Sequence, residues 1–322
     1  MTTKRLQVFD LHCDTLDRLA LGGEFDRAYE PAAKGYPASL RCNNAHLSLD
    51  RMRDFDWCQC FAIYVPDTLR GADAWRFYQQ VHDYFAAQLE ENPDRLAQVR
   101  APGDIDAALA TGRSAALLTI EGGSFITDSL APIGRIARDG VRMLTLTWNA
   151  RNAIAGGSAS TGGLTGFGRQ VIGALEEQRI IVDVSHLNDE SFYDVAAVAT
   201  RPFAASHSNA RAVCDHPRNL TDDQFRMIRD TGGIVGLNFY NNFLTTRKHD
   251  ATPEDLLRHL DHWLALDGER TIALGSDYDG ADIADWLAPG ERLAALRSLV
   301  SKEFGPQTAD ALFFDNAHRF FS

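Results

Sequence analysis

Eight short apolar or β-branched runs, at 8–14, 57–65, 114–122, 141–149, 180–186, 202–208, 233–240 and 271–280, alternate along the chain with polar loops and helical patterns. This alternation limits the fold more than any other feature. Runs apolar on both faces and joined through helices read as parallel strands, because helices packed on both sides of such a sheet bury both faces. The helices have legible ends. Thr221-Asp222-Asp223-Gln224 is a capping box opening a helix that stops at Gly232-Gly233. Thr252-Pro253-Glu254-Asp255 sets a cap, a first-turn proline and two carboxylates at the start of LLRHLDHWLALDG. Residues Ala74 to Glu91 read as one long amphipathic helix ending before Pro93.

Polar side chains gather at the C-terminal end of almost every run: His12 and Asp14, Glu121, Trp148 and Asn149, His186, His207, Asn238 and Tyr240, Asp277 and Asp279. An open doubly wound sheet would scatter them along a crevice, whereas a closed barrel brings them to one mouth. The expected fold is therefore α/β, a (β/α)8 TIM-like barrel forming a single domain over residues 1–322. Residues 16–56 read as an elaborated first βα loop, and 310–321 as a terminal helix covering the barrel.

Composition removes several function classes. The chain has 32 Lys and Arg against 44 Asp and Glu, a formal charge of −12, which argues against a polyanion-binding surface and a nucleic-acid partner. No apolar run approaches the ~18 residues that span a bilayer. The opening MTTKRLQVFDLHCD lacks the apolar core and small-residue cleavage site of a secretion signal, and no membrane partner is expected. Five cysteines, an odd number, favour reduced thiols and a cytoplasmic setting over a disulfide framework. Cys58 and Cys60 share one face of WCQCFAIYV, a C-x-C spacing that suits burial rather than redox or zinc chemistry.

His12 and Asp14 are two apart in an extended run, so both side chains point to the barrel mouth while Cys13 points away. Glu121 ends LLTIE ahead of Gly122-Gly123; an acid there is desolvated and needs a cation or strong donors to stay charged. His186 ends IVDVSH and His207 ends FAASHS. Four strand ends thus converge three imidazoles and two carboxylates, the inventory of a dinuclear metal site with one bridging carboxylate. The other histidines (His46, His82, His216, His249, His259, His262 and His318) lie in helical or loop contexts that give no reason to make them ligands. Asp277, ending ALGSD, is placed to act as general base and acid, with Asp279 as the competing candidate. Arg218, in HSNARAVCDHPRN, is placed to grip a substrate carboxylate through its fork, with Arg211 as its rival. The glycines at 162–168 match neither phosphate-binding fingerprint and read as a barrel-top loop.

Taken together, DLHCDTLDRL, IEGGSFITDSL, LTLTWN, DVSHLND, ASHSNARAVCDHPRNLTDDQ, GLNFYNNF and GSDYDG make the chain resemble the renal (membrane) dipeptidase family of zinc peptidases over nearly its whole length. The resemblance implies an amidohydrolase-related barrel with two Zn2+ per chain and a dipeptide as substrate. It implies that His12 and Asp14 bind one zinc, that His186 and His207 bind the other, and that Glu121 and a hydroxide or water bridge them. It further implies that the hydroxide attacks the scissile carbonyl, that Asp277 handles the proton, and that Arg218 holds the substrate's C-terminal carboxylate. Family members are often dimers, which leaves a homodimer open. One position departs from the pattern. The better-known animal members carry a substrate-contacting His where this chain has Trp148, and an indole accepts no proton. Either Asn149 or Asn152 takes over that contact or it is done without, and Trp148 and Tyr240 are also expected to face substrate. The alternatives are another metal hydrolase acting on N-acyl-amino acids or lactones, or a non-catalytic ligand-binding homologue.

Overall fold

Strands buried on both sides have nowhere to put polar groups except beyond their ends, and the computed structural model of this chain follows that rule. It describes residues 5–21, 39–247 and 251–322. The strands are β1 (Leu6–Cys13), β2 (Phe55–Tyr64), β3 (Leu96–Gln98), β4 (Ser114–Glu121), β5 (Val141–Thr145), β6 (Ile181–Asp183), β7 (Ala204–Ala205), β8 (Ile234–Leu237) and β9 (Ile272–Leu274). All pair in parallel in the order β2-β1-β9-β8-β7-β6-β5-β4-β3, and a further β2–β4 pairing closes the sheet into an eight-stranded (β/α)8 barrel. The ninth strand, β3, is an addition that the apolar pattern does not announce. It is three residues long and lies along Ser114–Ala116 of β4, while β5 pairs with β4 from Leu118 onward.

The helices are α1 (Thr15–Ala20), α2 (Gly71–Glu91), α3 (Asp104–Ala110), α4 (Ala131–Asp139), α5 (Gly166–Glu177), α6 (Asp189–Val198), α7 (Asp222–Asp230), α8 (Asn241–Leu244), α9 (Pro253–Leu264), α10 (Leu293–Phe304), α11 (Pro306–Asp310) and α12 (Asn316–Phe321). Both expected capping boxes form: Thr221 with Gln224 on α7 and Thr252 with Asp255 on α9. The expected terminal helix at 310–321 begins earlier, at Pro306, and passes through a π turn (Ala311–Asp315) into α12. Its Phe314, Ala317 and Phe321 join Phe9, Leu11, Cys58, Cys60 and Met143 of the strands in one apolar cluster. Part of the expected first loop is the short helix α1, and residues 22–38 of that loop, like His249, lie outside the described residues.

The five cysteines are free; four are buried and Cys42 is exposed. Among the described residues no helix is long and apolar enough to cross a membrane.

Candidate metal centre

The hydrogen-bonded strands stop short of the residues they present. β6 ends at Asp183 and β9 at Leu274, each three residues before His186 and Asp277. Trp148 and Asn149 likewise lie beyond the end of β5 at Thr145 rather than on the strand. His186, Asp277 and Asp279 have φ of +70°, +64° and +69°, in the left-handed region that a side chain occupies only at a cost of about 1 kcal/mol or more. Such backbone turns aim the side chains inward. Gly122, with φ +99°, makes the turn that ends the Glu121 strand. At Gly280 a Cβ would collide with the carboxylates of Asp14 and Asp277, so only glycine lets the chain pass so close to them.

The five expected ligands meet. His12 Nε2 is 3.3 Å from Asp14 Oδ2 and 3.9 Å from Glu121 Oε2. The other oxygen of Glu121, Oε1, is 2.7 Å from His186 Nε2 and 3.3 Å from His207 Nε2. The two Nε2 atoms of His186 and His207 are 2.9 Å apart, and the His12 ring stacks on His207 at 3.9 Å. The ligand atoms of His12, Glu121 and His207 lie within 4.8 Å of one another, as do those of His12, Asp14 and Asp277.

This donor set fits divalent cations. His12 Nε2 and Asp14 Oδ1 are buried without a hydrogen-bond partner, an unfavourable state for polar atoms unless something else fills their lone pairs. Imidazole nitrogens with carboxylate oxygens suit zinc and its first-row neighbours. Two of the imidazoles are held neutral with the lone pair facing inward. His186 Nδ1 lies 3.0 Å from Asn149 Oδ1, and His207 Nδ1 lies 2.8 Å from Ser206 Oγ, which in turn bonds to Asp183 Oδ2 at 2.5 Å. An Nδ1–H donated outward leaves Nε2 as the donor atom to a metal. Burial, then the nearby cations Arg218 and His12, push both rings well below the ordinary histidine range. His12 goes the other way: burial disfavours its charge, but Asp14, Glu121 and Asp277 together lift it to about 10. Burial carries Glu121 well above the usual carboxylate range, and Asp277 to about 6.

A cavity of about 490 Å3 opens over the centre, lined by Asp14, Glu121, His186 and Asp277 on its floor and by Trp148, Asn149, Arg218 and Tyr240 on its walls. Arg218 is 6% exposed, its guanidinium sits 5.3 Å from the Phe243 ring centre, and its Nε has no partner. The rival Arg211 is taken up by a two-pronged pair with Asp189 at 2.8 Å. Asp279 is also removed from contention, since it accepts from Thr15 Oγ1 and the His46 N–H and does not line the cavity.

One substrate-contact expectation needs correction. Asn152 does not line the cavity; its carboxamide bonds to Leu146 O and to the N–H groups of Ile154 and Ala155, tying down its own loop. Asn149 does line it, and its Oδ1 meets His186 Nδ1 and accepts from Ser158 Oγ. The residue-by-residue reading missed His216, Tyr64 and Phe243 as wall residues. Nothing in a loop histidine beside a proline signals that its ring packs on Phe243 at the rim.

A family model described as membrane dipeptidase (peptidase family M19) matches residues 2–321. An uncharacterized protein in the pqqA 5' region of Klebsiella pneumoniae is 40% identical over 189 residues, covering 55% of this chain and 70% of that protein. An uncharacterized dipeptidase of Schizosaccharomyces pombe is 34% identical over 172 residues, 52% of this chain and 42% of its own length. The chain thus spans less than half the length of that yeast relative. The crystal structure of a metallopeptidase from Rhodobacter sphaeroides, liganded with a phosphinate mimic of the dipeptide L-Ala-D-Ala, superposes with a TM-score of 0.87 at 27% identity, covering 99% of each chain.

Proposed function

This chain belongs to the membrane dipeptidase family of metal-dependent peptidases, and on that premise we propose that it hydrolyses dipeptides at a two-zinc centre built on Glu121. The observation that carries the reading is the division of one carboxylate: Glu121 Oε2 faces His12 while Oε1 faces His186 and His207. A carboxylate so placed is suited to bridge two cations, with His12 and Asp14 completing one and His186 and His207 the other. Zinc bound there supplies Lewis acidity and a water acidic enough to serve as nucleophile at neutral pH.

The protein's own groups then have distinct tasks. Asp277, lifted by burial to about 6 and anchored by Asn238 Nδ2 at 2.9 Å, takes a proton from the nucleophile's side and returns it to the departing amine. Arg218 receives the substrate's C-terminal carboxylate, which places the substrate's last peptide bond over the centre. Trp148, edge-on to Tyr64 at 5.1 Å, gives the cavity an aromatic wall where a histidine stands in animal relatives, and with Tyr240 it shapes which side chains enter. The free thiols suit a reducing, cytoplasmic setting.

The test is a dipeptide library offered to zinc-reconstituted protein, with free amino acids as readout. N-acyl-amino acids and lactones serve as the competing substrate classes. Turnover of those classes without dipeptide cleavage refutes the reading, and so does failure to bind close to two metals per chain.

A further inference from the structure

At the opposite end of the barrel a second cavity, of about 530 Å3, opens between the N-terminal ends of β5 to β9 and the C-terminal helix. Five arginines line it: Arg142 in β5, Arg179 just past α5, Arg201 before β7, Arg270 before β9 and Arg319 on α12. All but Arg142 are exposed. Among the described residues none of the five is paired with a carboxylate. That is out of keeping with a chain holding 44 acids against 32 bases. Elsewhere Arg41, Arg51 and Arg211 hold Asp94, Glu291 and Asp189. The acidic side chain in the lining, Glu176, is already satisfied by the N–H groups of Thr200 and Arg201 and by Thr200 Oγ1.

Like charges brought to one opening repel. The Arg319 guanidinium is held below its usual range by burial and then by Arg270. Burial does the same to Arg142. A bound anion relieves both effects, and the guanidinium fork matches phosphate or carboxylate oxygens in pairs. Apolar side chains, with Phe320 among them, line the space between the charges. The volume falls within the range of small-molecule sites, ~300–1,000 Å3, which favours a small ligand over a macromolecular surface.

We propose that this cavity binds a small organic dianion, its phosphate or paired carboxylates held by the arginines and its apolar body packed against Phe320. The site is separate from the metal centre: no residue lines both cavities.

Calorimetric titration of the zinc-loaded full chain with phenyl phosphate tests the assignment, with benzyl alcohol as the neutral control. Phenyl phosphate is expected to bind with a Kd of about 1 mM or tighter, weakening as salt rises, while benzyl alcohol gives no signal. The Arg201→Ala/Arg270→Ala double variant, and separately Arg179→Glu, should weaken binding by about tenfold or more, with melting temperature and metal content unchanged. Absence of binding up to about 10 mM overturns the proposal. So does binding that survives these substitutions undiminished, the result expected if the phosphate sits on zinc.

Discussion

Arg218→Met separates recognition of the substrate's terminus from the chemistry of bond cleavage. The methionine keeps an unbranched apolar stem against Phe243 and removes the charge and the fork. In the native protein the guanidinium is 6% exposed, its Nε is unpartnered, and Nη2 makes one long bond, 3.4 Å, to His207 O. Burial lowers its pKa to about 10, against the pull of Glu121 and Asp277, so it stays charged at neutral pH. A substrate carboxylate meeting that fork gains two charge-assisted bonds in a water-poor cavity, of which about 2–4 kcal/mol is lost on truncation, roughly 30- to 1000-fold in kcat/KM. The loss should fall mainly on KM, since the carboxylate is held equally in ground and transition states. The assay compares a dipeptide with its C-terminal amide in both proteins. The native protein should prefer the free acid by that factor, and the variant should cleave both at nearly the same low rate. A variant that retained the full preference would refute the assignment. Elemental analysis guards against a trivial cause, because Arg218 also helps keep His186 and His207 neutral.

Asp277→Asn should lower kcat by about 100- to 10,000-fold with metal content unchanged by elemental analysis; metal lost in step with activity would make Asp277 a ligand instead. Gly280→Ala pushes a methyl into the carboxylates of Asp14 and Asp277, and should lower metal occupancy and activity together while far-UV circular dichroism stays native. Retained occupancy would show that the backbone there shifts freely. Acid stability should depend on His259, whose Nδ1 accepts from the Ala210 N–H and whose Nε2–H donates to Leu244 O. Burial holds its folded pKa at about 4. The unfolded chain, titrating near 6.5, therefore binds the proton first, and stability falls as pH drops from about 6.5 to 4, by about 3 kcal/mol from this one group. Urea melts of the metal-loaded protein across that window should show the slope, and His259→Gln should flatten it; an unchanged slope would place the titration elsewhere.

What could be read in advance follows from where each signal is stored. The barrel is written in period and spacing, which are local properties: eight apolar runs, two capping boxes and the long helix α2 fall where the pattern puts them. The strand β3 is invisible because three residues of LAQ carry no period, and only the edge of β4 makes them a strand. The convergence of His12, Asp14, Glu121, His186 and His207 was legible because a closed barrel converts position along a strand into position in space. Trp148 and Asn149 were legible as neighbours of the site for the same reason. The separate tasks of Asn149 and Asn152 were not, because a carboxamide oxygen that meets the His186 ring and a carboxamide N–H that donates to Leu146 O look alike until the loop is folded.

The same distinction separates what net charge can say about the far end of the barrel from what burial says about the mouth. Net charge sums over the whole surface, so −12 says nothing about five arginines contributed from separate stretches of chain between Arg142 and Arg319. A carboxylate at the end of an apolar strand carries its own energetic demand, since Glu121 is desolvated wherever the barrel closes and must find partners there. The left-handed backbone at His186 and Asp277 lies at the same mouth. Left-handed φ values at two non-glycine residues are unfavourable without compensation, and both side chains make contacts inside the mouth: His186 with Asn149 and Glu121, Asp277 with Asn238. On this argument, replacing His186 or Asp277 with glycine should relieve local strain and stabilise the metal-free fold while abolishing the site. Alanine in the same places should remove the site without that gain.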